Sequence, residues 1–127
     1  MASKKSPKPR ILLADDSESF LRAAQLLLRD YDVDTARDGE EALAKIKASP
    51  PDVLFVDLVL PRISGTDLIP RVKTRYPKVA IVALTAIDDD EMVREVLKLG
   101  ASDYVIKGAL SAEAFDAIIK RALRPRT

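Results

Sequence analysis

The chain has 127 residues, 47% hydrophobic and 32% charged, a size and balance that fit one soluble domain with a core large enough to need no staples. It contains no cysteine, which excludes a disulfide framework, thiolate metal sites and a cysteine nucleophile, and suits a reducing cytoplasm. The net charge of +1 hides a segregation. All 20 acidic residues lie between Ile11 and Ile119, and eight of the 21 basic ones lie outside that span, leaving a body seven charges negative between ends eight charges positive.

Residues 1–9 carry Lys4, Lys5 and Lys8 without an apolar stretch, so they read as a short basic tail rather than a signal peptide. No run approaches the roughly 20 apolar residues that span a bilayer, and the protein is expected to stay in the cytoplasm. A first strand is predicted over Arg10–Ala14, followed by a helix whose apolar stripe is Phe20, Ala24, Leu27 and Tyr31. Asp32–Ala36 is short and mixed, as an edge strand is. Asp38 with Glu41 has capping-box spacing and opens a second helix, which Pro50-Pro51 ends. Asp52–Val56 is nearly all apolar and predicts a central strand covered on both faces.

The segment after Gly65 contains Pro70, so the third helix is predicted to start late, capped by Thr66 or Asp67, with Pro70 in its first turn. Val79–Leu84 is another apolar central strand. Asp88 with Glu91 caps a fourth helix with a core stripe of Met92, Val93, Val96 and Leu97, and Gly100 ends it. Asp103–Ile106 is the second edge strand. Ala114, Phe115, Ile118, Ile119 and Ala122 mark the fifth helix, and 125–127 form a C-terminal tail. Basic ends without interleaved aromatic residues are ordinarily just solvated, so neither nucleic acid nor membrane is an expected partner. Strands alternating with helices predict a doubly wound α/β domain with a five-stranded parallel sheet and five helices, over residues 10–124.

In such folds ligands bind beyond the carboxyl ends of the strands. Asp15 and Asp16 follow the first predicted strand, Asp57 the third, Thr85 the fourth and Lys107 the fifth. Taken singly, each has an ordinary structural use as a helix cap or surface group. Together they put three carboxylates and one ammonium in one crevice. Three like charges there repel unless a hard cation neutralises them, and carboxylate, carbonyl and water oxygens suit magnesium. A carboxylate so placed is a nucleophile for phosphoryl transfer, where positioning and charge neutralisation carry most of the catalysis. Asp57 is best placed, because a buried strand fixes it. Thr85 and Lys107 can then hold phosphoryl oxygens.

The order and spacing of Leu13-Ala-Asp-Asp16, Asp57-Leu-Val-Leu-Pro61 with Gly65, Leu84-Thr-Ala86 and Gly100-Ala-Ser-Asp-Tyr-Val-Ile-Lys107 resemble the response-regulator receiver domains of two-component signalling, over Arg10 to Leu123. The resemblance implies a flavodoxin-like receiver fold with strand order 2-1-3-4-5. It implies phosphorylation of Asp57 by a sensor histidine kinase or histidine phosphotransfer protein. Magnesium would be held by Asp16, Asp57 and the backbone carbonyl of Val59, with Asp15 assisting. Thr85 and Tyr104 would form the switch, and the fourth helix, fifth strand and fifth helix, about Asp88 to Leu123, would meet a downstream protein. Such a domain is a signalling switch rather than an enzyme on other substrates, monomeric or dimerising on phosphorylation. Gly108 stands where the family usually carries proline, typically with a cis bond; glycine there predicts a looser lysine loop and a trans peptide. Val59 and Ile87, two residues after Asp57 and Thr85, are both apolar and cannot orient water, so a long-lived aspartyl phosphate is expected.

Other classes fit less well. An aspartyl-phosphate phosphatase of the haloacid-dehalogenase type needs Asp-x-Asp after the first strand, and Ser17 is the second residue beyond Asp15. A flavodoxin-type flavin carrier would want hydroxyl or amide groups where Asp15, Asp16 and Glu18 stand, and no Walker loop is present. A phosphorylation-independent interaction module on the same fold leaves all five key side chains without a purpose. A standalone receiver and a piece of a larger response regulator or hybrid kinase have the same sequence signature.

Overall fold

Runs such as Val53-Leu-Phe-Val56 have no polar face, so as strands they require a sheet covered on both sides. The computed structural model describes residues 8–86 and 88–124 and supplies that cover. Strands β1 (Arg10–Ala14), β2 (Asp32–Ala36), β3 (Val53–Asp57), β4 (Ala80–Thr85) and β5 (Asp103–Ile106) alternate with helices α1 (Glu18–Leu27), α2 (Gly39–Ala48), α3 (Gly65–Arg75), α4 (Asp90–Leu99) and α5 (Ala112–Ala122). The strands form one parallel sheet in the order β2-β1-β3-β4-β5, as expected. The polar-edged β2 and β5 lie at its margins.

Successive strand side chains point to opposite faces, which divides the core in two. Leu12, Leu54, Val56, Ile81 and Ala83 pack with Ile46 of α2, Leu68, Ile69 and Val72 of α3, and Val96 of α4. Ile11, Leu13, Phe55, Val82 and Leu84 pack with Leu21 of α1 and Phe115, Ile118 and Ile119 of α5. Phe55 and Phe115 meet edge to face with centroids 5.2 Å apart, a favoured aromatic geometry.

Several local expectations need correction. Ser64 caps α3, its Oγ accepting the Asp67 N–H at 3.2 Å, so the helix starts earlier than predicted and Pro70 lies in its second turn. Pro70 withholds the donor that the Thr66 carbonyl would otherwise take; burial of Leu68, Ile69 and Val72 holds the helix regardless. β3 runs one residue further than predicted because Asp57 pairs with Leu84 in the ladder, and β4 includes Thr85 opposite Ile106. Asp57 and Thr85 are therefore strand residues. Asp89, not Asp88, caps α4 through the Glu91 N–H. Of the α4 stripe only Val96 is buried, while Met92 and Leu97 are exposed. α1 ends at Leu27, leaving Tyr31 beyond it, though still packed on the core.

Asp38 caps α2 as expected, accepting from the Glu41 N–H at 2.7 Å, while the Glu41 carboxylate reaches back to the Arg37 N–H at 2.9 Å. Gly108 lies in a short 3-10 turn, Lys107–Ala109, and the described residues contain no cis peptide. Ile87, residues 1–7 and residues 125–127 lie outside the described residues.

Candidate functional site

Parallel strands bring all their carboxyl ends to one edge of the sheet, so the residues that finish β1, β3, β4 and β5 become neighbours. The β1 ladder continues one step, from the Asp15 N–H to the Ala36 carbonyl at 3.0 Å, which draws Asp15 under the edge. Ser17 then caps α1, its Oγ accepting the Phe20 N–H, and its own N–H donates to Asp15 Oδ1 at 2.8 Å. Asp15 is fully buried and Asp16 exposed. On β3, Asp57 Oδ1 accepts from the Val59 N–H at 3.1 Å.

Carboxylate oxygens of Asp15, Asp16 and Asp57 all lie within 4.8 Å of one another. At that separation two carboxylates repel by roughly 3 kcal/mol for an effective dielectric near 20. Lys107 opposes this: its Nζ lies 2.7 Å from Asp15 Oδ2 and 3.2 Å from Asp57 Oδ2. The buried Asp15 Oδ2 thus has the Lys107 ammonium as its close counterion. Burial pushes the Asp15 carboxyl above its usual pKa, and the neighbouring Asp57 adds to this, against the pull of Lys107 and the Ser17 N–H. Burial alone would lower the Lys107 pKa, but Asp15 and Asp57 together raise it. Three carboxylates gathered around a single ammonium leave the cluster net negative, which fits a hard divalent cation.

Among the described residues, the buried polar side chains are Asp15 and Thr85, and both sit at this edge. Thr85 ends β4, beside the strand that ends in Asp57, and its ladder partner Ile106 immediately precedes Lys107. Tyr104 pairs with Ala83 and lies half-buried against the cluster containing α2, α3 and α4. Val59 is 79% exposed. The structure thus gathers Asp15, Asp16, Asp57 and Lys107, with Thr85 adjoining them on the same edge.

One contributor escapes a sequence reading. Phe20, which belongs to the α1 core stripe, also places its ring 4.8 Å from Lys107 Nζ, within cation–π range. Its position three residues after the Ser17 cap is the available signal, because the first turn of α1 faces the strand ends. Gly65 has a spatial reason that its place in the motif does not reveal. A Cβ there would lie 2.3 Å from the Asp57 carbonyl oxygen and 2.7 Å from Leu58 Cα, so only glycine lets α3 start against the Asp57 backbone.

A family model for the response regulator receiver domain matches residues 11–122. The transcriptional regulatory protein PhoP for alkaline phosphatase synthesis from Bacillus subtilis is 37% identical over 91% of this chain and 48% of its own length. The response regulator GacA of Pseudomonas viridiflava is 33% identical over 86% of this chain and 53% of its own. The chain thus spans about half the length of these relatives. Among solved structures, the chemotaxis protein CheY4 of Vibrio cholerae superposes with a TM-score of 0.83 at 30% identity, covering 91% of this chain and 99% of that one.

Proposed function

This chain belongs to the response regulator receiver family, and on that premise we propose that Asp57 accepts a phosphoryl group from a sensor histidine kinase or a histidine phosphotransfer protein. The observation that carries the proposal is the gathering of Asp15, Asp16 and Asp57 within 4.8 Å, with Lys107 bridging Asp15 and Asp57. Asp15, Asp16, Asp57 and the Val59 carbonyl are the groups that would hold magnesium. The ion supplies neutralisation of the carboxylates and of the phosphoryl oxygens.

The chain's own groups do the rest. An Asp57 oxygen attacks phosphorus, the bond from phosphorus to the donor's imidazole nitrogen breaks, and an acyl phosphate forms on Asp57. Lys107 follows the charge from the carboxylate to the phosphoryl oxygens, and Asp15 keeps its ammonium at the site. The Thr85 hydroxyl donates to one phosphoryl oxygen, which biases Thr85 and then Tyr104 on the neighbouring strand. The exposed Met92 and Leu97 of α4 support the α4-β5-α5 face as the surface read by a downstream protein, or by a second copy once phosphorylated. Residues 10–124 form the receiver unit between basic segments 1–9 and 125–127. It acts in the cytoplasm as a signalling switch, catalysing only its own phosphoryl transfer and dephosphorylation.

The test is incubation with a small-molecule phosphodonor and magnesium, followed by intact mass. One phosphate added to the wild type and none to Asp57→Asn is expected. Equal labelling of both proteins, or none of either, rules the proposal out.

A further inference from the structure

Seven residues, 58–64, carry the chain from Asp57 at the end of β3 to Gly65 at the start of α3. Buried Leu58 and Leu60 anchor this loop, leaving Val59 exposed between them. Within it the Ile63 N–H donates to the Pro61 carbonyl at 2.8 Å, and Arg62 between them has φ of 71°. That pairing is the three-residue turn with positive φ, a rare and strained conformation for a residue bearing a Cβ. Something must hold it.

The restraint comes from the start of α2. The Gly39 N–H donates to the same Pro61 carbonyl at 3.1 Å, and a Cβ on Gly39 would lie 2.1 Å from the Ile63 carbonyl oxygen. Helix and loop are therefore in direct backbone contact. Arg62 Nε lies 3.4 Å from Asp38 Oδ2, and its Nη1 lies 3.8 Å from Glu40 Oε1. Asp38 thus serves both sides of the junction, one oxygen capping α2 and the other facing Arg62. At the other end of the loop, the Val59 N–H holds Asp57 Oδ1 at 3.1 Å.

We propose that Arg62 is a positioning residue for the acidic site: paired with Asp38 and Glu40, it holds a strained turn that fixes Val59 against Asp57 and makes the start of α2 part of the site's support. Its side chain is largely exposed and pairs with Asp38 and Glu40 rather than with the acidic site itself. It acts through the backbone. The effect on magnesium rests on the reading given under Proposed function, whereas the effect on Val59 does not.

The test compares wild type with Arg62→Ala, Arg62→Gly and Asp38→Asn. Arg62→Ala removes the ion pairs and keeps the strain of a Cβ at positive φ. Arg62→Gly removes both. Asp38→Asn keeps a capping oxygen for α2 and removes the charge. In metal-free protein, the amide shift and solvent exchange of Val59 report directly on its bond to Asp57. Calorimetric titration with magnesium reports on the site, and thermal melts report on the fold.

Arg62→Ala is expected to move the Val59 amide signal, speed its exchange and weaken magnesium binding by about threefold to fivefold, the scale of an exposed ion pair, with the melting temperature lowered by no more than a few degrees. Arg62→Gly should return both signals toward wild type, and Asp38→Asn should fall between. Wild-type Val59 behaviour in Arg62→Ala overturns the proposal, as does a loss of magnesium affinity that only tracks a fall in melting temperature. If the wild type takes up no magnesium, the phosphoacceptor reading fails, and the Val59 signal in metal-free protein still decides the role of Arg62.

Discussion

Replacing Lys107 with methionine keeps a stem of similar volume against the Phe20 ring and removes one charge from between two carboxylates. At 2.7 Å from Asp15 Oδ2 the ammonium contributes a gross attraction of about 6 kcal/mol at an effective dielectric near 20. Much of that offsets the burial of the two charges. Removing one partner of a buried pair leaves a deficit of about 3–5 kcal/mol. Lys107 retains 22% side-chain exposure and Asp57 13%, so solvent relaxation reduces the deficit to about 2–3 kcal/mol. For a domain of this length that lowers the melting temperature by roughly 6–15 °C at pH 7.5.

The deficit depends on pH. The Asp15 pKa is already raised above 3.8 by burial, and without Lys107 it rises further. A group whose folded pKa is raised favours the fold below its unfolded value and loses that contribution as pH rises through the folded pKa. The variant's deficit is thus small near pH 4 and full by neutral pH. The Lys107 pKa is raised above 10.5, so the wild type keeps its contribution throughout that window. Melts followed by circular dichroism between pH 4 and 8 measure this, and Lys107→Met with Asp15→Asn should recover most of the loss. A deficit of equal size at both ends of the range, or no recovery in the double variant, refutes the charge argument and leaves only packing on Phe20.

Gly65→Ala places a Cβ 2.3 Å from the Asp57 carbonyl oxygen; it is expected to destabilise by about 1–3 kcal/mol and to slow phosphorylation, measured by melts and intact mass. The Tyr31 pKa is pushed up to about 12 by burial, with Asp116 accepting its hydroxyl proton. The stability it contributes is present below pH 10 and lost as pH rises from 10 toward 12, so Tyr31→Phe should flatten alkaline melts in that window. Val59→Asn combined with Ile87→Glu should speed loss of the aspartyl phosphate by supplying groups that orient water. An unchanged dephosphorylation rate sinks the argument from water access.

The strands were legible because buried β-rich runs have no polar face, and Asp57, Thr85 and Lys107 were legible because each polar side chain ends such a run. Asp15 and Asp16 followed the same rule. Periodicity does not tell what covers a face: Met92, Val93, Val96 and Leu97 share the helical spacing of a core stripe, yet only Val96 of them is buried. The start of α3 was misplaced because Pro70 argued for a late helix. Ser64 and the close approach at Gly65 decide it, and that approach exists only in three dimensions. The positive φ of Arg62 has no local signature, since Pro61-Arg-Ile-Ser64 contains no glycine; the partners at Asp38 and Glu40 come from a distant part of the chain. Phe20 looked like core and is core, with a second contact to Lys107 that spacing does not encode.

Calorimetric titration of metal-free protein with magnesium bears most directly on the central claim, that acidic side chains at the ends of two strands share one ion opposite Lys107. One ion per chain is expected, with uptake lost or greatly weakened in Asp16→Asn and in Asp57→Asn. No uptake by the wild type, or uptake that both substitutions leave intact, contradicts the account.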